Sequence, residues 1–109
     1  MIIDKQKAEE LKAQFPRMEV HDGGTDEEPL EVAFRPPSQE EWRRWKVEVS
    51  NESGRAMATE TLVTNCVVCP SRQEYIELLK RYPGLTETFS DAVLGLAGVR
   101  KGGSKKKAI

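Results

Sequence analysis

The sequence predicts an α+β fold, mainly α, in which an N-terminal β-hairpin precedes a compact bundle of about four helices. Three observations predict it. The string Pro-Ser-x-x-Glu-aromatic occurs twice, over residues 37–42 and 70–75. Each copy is a helix start: the serine hydroxyl accepts from a free N–H one turn in, and the glutamate reaches back to the serine N–H. Residues 18–21 and 30–34 alternate polar with apolar side chains across an acidic, glycine-containing gap, the pattern of a hairpin. Phe89, Ala92, Val93, Leu96 and Ala97 form a stripe with the 3.6-residue period of a buried helix face.

The elements follow in chain order. Asp4 to about Phe15 reads as a helix with Ala8, Leu11 and Phe15 on one side, ended by Pro16. Its apolar face is narrow, which predicts loose docking of residues 1–16. Residues 17–99 read as a single globular domain, with the hairpin over 17–35 and the helices over 38–99. Met18–His21 and Leu30–Phe34 are the expected strands, and Pro36 and Pro37 stop the second because neither donates to a ladder. The helix from Ser38 to about Ser50 is expected to bury Trp42, Trp45 and Val49. The two tryptophans share its face but are not expected to stack at the same height. Asn51–Gly54 is a turn. Arg55 to about Val68 should bury Met57 or Ala58, Leu62 and Cys66, with Val63 and Val67 beside them. Ser71 to Tyr82 should bury Tyr75, Ile76 and Leu79, with Leu78 or Tyr82. Pro83-Gly84 breaks that helix, and Thr86 to about Val99 is the last. Residues 100–109 lack an apolar anchor and are expected to be a disordered basic tail.

Size and composition bound the function. At 109 residues, with 38% hydrophobic and 32% charged side chains, the chain has one small core and gains from a partner that covers part of its surface. No apolar run approaches ~18 residues, so no membrane span is expected. Two cysteines without an export signal predict a reducing, intracellular setting. Five of the 17 lysines and arginines lie in residues 100–109, which hold no acid. The remaining 12 face all 18 carboxylates, a net of −6 on the body. An acidic body disfavours nucleic acid.

The chemistry-bearing residues are few. Cys66-Val67-Val68-Cys69 is a CxxC, a zinc half-site at most, with His21 the sole further histidine. It falls at a helix C-terminus, whereas a redox pair sits at an N-terminus where the dipole lowers a thiol pKa. The ordinary reading is Cys66 as a small core hydrophobe and Cys69 as incidental. His21 lacks a neighbouring nucleophile. The acids of residues 22–28 lack the alternating ligands and closing glutamate of a calcium loop, and Gly23-Gly24 is followed by no phosphate-loop lysine. Arg35 is expected to clasp Glu40 or Glu41. Trp42 and Trp45 read first as core, and alternatively as the rim of a partner groove, since tryptophans anchor interfaces.

Phe34-Arg35-Pro36, Glu40-Glu41-Trp42, the run from Leu62 to Ser71 and Tyr82-Pro83-Gly84-Leu85 together resemble the tail assembly chaperones of long-tailed bacteriophages and prophages. The resemblance spans roughly residues 30–98 and leaves out the N-terminal helix and the acidic loop. It implies a protein that is not an enzyme and has neither cofactor nor catalytic residues. Such a protein acts in the bacterial cytoplasm, holds the tape-measure protein soluble, helps tail-tube subunits polymerise around it, and is absent from the mature virion. It also gives Lys105–Lys107 a meaning: an adenine-rich slippery site at which a frameshift yields a longer form of the same chain. A groove near Trp42, Trp45 and Tyr82 is the expected partner site, by helix-in-groove docking. A homo-oligomer is compatible with this role. Two rival readings are a small regulatory or adaptor protein whose basic tail binds nucleic acid weakly, and a metal or thiol protein built on Cys66 and Cys69.

Overall fold

The computed structural model describes residues 1–100 and 102–108. Lys101 and Ile109, which belong to the expected tail, lie outside the described residues. Among the described residues the fold is α+β, with five helices and a three-stranded antiparallel sheet. In chain order the elements are α1 (Lys5–Gln14), β1 (Glu19–Asp22), β2 (Glu31–Phe34), α2 (Gln39–Ser50), α3 (Arg55–Cys66), β3 (Val67–Cys69), α4 (Arg72–Arg81) and α5 (Leu85–Leu96).

Both capping boxes form as expected. Ser38 Oγ accepts from the Glu41 N–H at 3.1 Å and Glu41 Oε1 from the Ser38 N–H at 2.9 Å. Ser71 and Glu74 repeat the arrangement at 3.1 and 3.3 Å. The hairpin pairs Glu19 with Phe34 and Asp22 with Glu31.

The chain departs from expectation after Cys66. The helix predicted to reach Val68 stops there, and Val67–Cys69 becomes the third strand, in the order β1-β2-β3. Two causes act together. Val67 and Val68 are β-branched, and the residue before Pro70 is pushed toward extended backbone. The second side of β2 then supplies partners, with Ala33 opposite Cys69 and Phe34 opposite Val67 across an irregularity.

The sheet is covered on both faces, because successive side chains of a strand point to opposite sides. Val32 and Phe34 enter the main core with Leu62, Val63, Cys66, Tyr75, Phe89 and Val93. Phe34 packs its ring 5.0 Å from Phe89 and edge-on to Tyr75. Ala33 faces the other way, into a smaller cluster with Leu11 and Met18 that Ile3, Ala8 and Phe15 close over. Thus α1 lies on the second face of the sheet. The segment before it is held by Glu31, whose N–H donates to the Met1 carbonyl at 3.1 Å and whose Oε1 accepts from the Ile3 N–H at 2.9 Å.

The first helix of the bundle also differs from expectation. Trp42, Trp45 and Val49 are half-buried, and α2 buries no residue fully. It lies along the outside of α3, and its indoles rest on the core rather than within it. At the next helix the choice falls on Ala58, 1% exposed, while Met57 is 60% exposed. No helix among the described residues is long and apolar enough to cross a membrane.

Candidate functional site

The densest polar constellation is the corner where β2 turns into α2. Pro36 and Pro37 bend the chain there, and Arg35 is carried back over α3. Its guanidinium grips Glu41 in a two-pronged pair, Nη1 to Oε1 at 2.8 Å and Nη2 to Oε2 at 2.9 Å. Of the two carboxylates expected for Arg35, Glu41 is the one bound. Nη2 also donates to the Asn65 carbonyl at 2.8 Å, and the Arg35 N–H donates to the Cys66 carbonyl at 2.9 Å. Bonding to Arg35 holds the Glu41 carboxyl down at about 2, against the opposing effect of burial and with help from the Ser38 N–H. The guanidinium pKa is raised by the same pair. Both terminal guanidinium nitrogens and both Glu41 oxygens are bonded to protein, so the arrangement is a joint between β2, α2 and the end of α3.

One turn along α2, Trp42 and Trp45 stack, with ring centroids 4.7 Å apart and planes 28° from parallel. The stacking departs from expectation, because residues three apart are neighbours on a helix surface, about 5–6 Å between Cβ atoms, and two rings as wide as indoles meet across that offset. Trp45 Nε1 donates to Thr59 Oγ1 of α3 at 3.2 Å. The pair thus offers one half-buried apolar plate with its polar nitrogen partly committed.

Tyr82 lies elsewhere. It caps the C-terminus of α4, and its hydroxyl donates to Glu28 Oε1 in the acidic loop at 2.7 Å. The Arg81 guanidinium carbon sits 5.4 Å from its ring centroid. It lines a groove of about 460 Å³ with Gly23, Gly24, Leu85 and Thr88. Neither tryptophan lines this groove, so the three aromatics expected at one surface divide between two.

The cysteines occupy different environments. Cys66 is fully buried and Cys69 half-buried, both as free thiols. Burial pushes Cys66 up to about 11, with Arg35 opposing, and raises Cys69 by the same cause. Both are therefore protonated near neutral pH, the unreactive form. Among the described residues no group of three or more His, Cys, Asp and Glu side chains is placed to hold a metal. His21 Nε2 pairs with Glu19 Oε1 at 2.9 Å, on the same face of the sheet as Phe34.

Sequence reading did not single out Asp22. Its Oδ1 accepts from both the Gly24 and Leu30 N–H groups at 2.9 Å, closing the base of the acidic loop. Those bonds lower its pKa. The signal was the Asp-Gly-Gly order, since an aspartate that bonds the backbone two residues on makes an Asx-turn.

Comparison with known proteins gives three findings. A solved structure of an uncharacterised protein from Bacillus stearothermophilus superposes with a TM-score of 0.72 at 21% identity, over 91% of this chain and 99% of that one. At that identity the likeness shows the shared fold. A search of curated proteins gives no match. Residues 5–106 match the family described as Domain of unknown function (DUF6848), and the chain therefore belongs to that family.

Proposed function

We propose that this protein is a non-enzymatic phage tail assembly chaperone. It binds the tape-measure protein in the bacterial cytoplasm, aids polymerisation of the tail-tube protein, and leaves before the virion is complete. The stacked Trp42–Trp45 plate carries this reading. A helix that buries none of its residues fully, yet sets two indoles side by side on its partly covered face, suits an apolar stripe on an incoming helix. The acidic body keeps such a complex soluble. Of the residues behind the resemblance, Arg35 grips Glu41, next to Trp42, and Cys66 belongs to the core on which both indoles rest. Tyr82, at the second groove, is the accessory contact. Lys105–Lys107 mark the frameshift to the longer form.

Co-expression with the tape-measure protein encoded beside its gene tests this. The expected result is a soluble complex that co-purifies. The double variant Trp42→Ala/Trp45→Ala should lose the complex while keeping the helical circular dichroism of the wild type. A tape-measure protein that stays insoluble with the wild-type chain ends the proposal. Binding that survives in the folded double variant, or unfolding of that variant, removes the plate as its site.

A further inference from the structure

β1 has a partner on one side only. The Gly23 N–H donates to the Leu30 carbonyl at 3.0 Å. In an antiparallel ladder, bonded and non-bonded pairs alternate. With the observed register, Glu19 and His21 therefore spend their backbone groups on β2, and the N–H and C=O of Val20 and Asp22 face outward. The strand is short and carries Glu19 and Asp22, but it contains no proline and no bulge, so its outward N–H and C=O groups stay in register for pairing. Its two inward-bonded residues, Glu19 and His21, pair with each other. Val20 stays 39% exposed, and between it and α1 runs a groove of about 560 Å³ lined by Ala8, Lys12 and Met18 among others.

We propose that β1 is the interface through which two copies of this chain associate, edge to edge and antiparallel, into one six-stranded sheet. A two-fold axis beside His21 sets Val20 of each copy opposite Asp22 of the other, giving about four new backbone hydrogen bonds. Charge favours a second copy as the occupant. The hairpin tip carries Asp26, Glu27 and Glu28 and no cation, while the hairpin base and the end of α1 carry Arg17 and Lys12, both exposed. Antiparallel pairing lays the tip of one copy along the base of the other, twice by symmetry. The interface is short and of the weak class.

Sedimentation velocity on the full chain from about 10 µM to about 1 mM, a range suited to weak complexes, reads the proposal out. The wild type should pass from monomer to dimer, with a shift back toward monomer in high salt. Val20→Pro removes an outward N–H without touching the β1–β2 ladder and should weaken association at least about tenfold, as should Asp26→Lys/Glu27→Lys. A wild type that remains monomeric throughout, or variants that dimerise unchanged, overturns the proposal. Should Val20→Pro unfold, amide exchange on the wild type decides: protection of Val20 and Asp22 that fades on dilution supports the interface, and protection independent of concentration overturns it.

Discussion

Replacing Glu41 by glutamine tests the corner joint, because its cost must depend on pH. Glutamine keeps the shape and can still accept from the Ser38 N–H, so the capping box largely survives. What is lost is the charge held between two guanidinium nitrogens. In the folded chain the Glu41 carboxyl titrates at about 2, against 4.5 for a free glutamate. That gap of about 2.5 in pKa is linked to about 3 kcal/mol of stability at neutral pH. Glu41 keeps 20% of its side chain exposed and Arg35 28%, and solvent screening brings the expected loss to about 2 kcal/mol. For a domain of this size that is a fall of about 10 °C in Tm. The folded pKa is the depressed one. The contribution is therefore complete above about pH 4.5 and disappears as pH falls toward 2. Urea titrations followed by tryptophan fluorescence, from pH 7 to pH 3, should show the gap between wild type and Glu41→Gln shrinking by about half. Glu74→Gln is the control, since Glu74 occupies the same capping position on α4 and lacks the two-pronged arginine pair that Glu41 has. It should cost about 1 kcal/mol or less at every pH. A gap for Glu41→Gln that stays constant with pH, or that matches the Glu74→Gln value, refutes the reasoning.

Two further outcomes are expected. A Cβ at residue 23 would lie 2.6 Å from Phe89 Cζ and 3.2 Å from Leu85 Cδ2. Phe89 is in the core and cannot retreat, so Gly23→Ala should destabilise by about 1–3 kcal/mol in chemical denaturation, whereas Gly84→Ala, which meets nothing within 4 Å, should not; equal effects would disprove the close approach. With a thiol reagent at pH 8, Cys69 should react slowly and Cys66 only as fast as the chain unfolds, because burial holds both thiols protonated; two fast-reacting thiols in the folded protein would contradict this.

What the sequence determined by itself was local. The starts of α2 and α4 were legible because a capping box closes within four residues and needs no help from elsewhere. The hairpin and the stripe of α5 were legible because their periods are written in consecutive side chains. Cys66 as a core residue and Arg35 as a clasp were readable from the apolar spacing of α3 and from the proximity of Glu40 and Glu41 in the chain. The tertiary structure decided whatever needed a partner from far along the chain. Val67–Cys69 is a strand because β2, more than 30 residues earlier, leaves one side unpaired. The choice of Glu41 over Glu40 follows from where α2 crosses the end of α3, and there the Asn65 carbonyl takes a share of Arg35. Tyr82 parts from the tryptophans because Glu28, 54 residues away, draws its hydroxyl to the acidic loop. A strand, an ion pair and a groove each need two surfaces. The chain in order of residues names one of them, and only folding brings up the other.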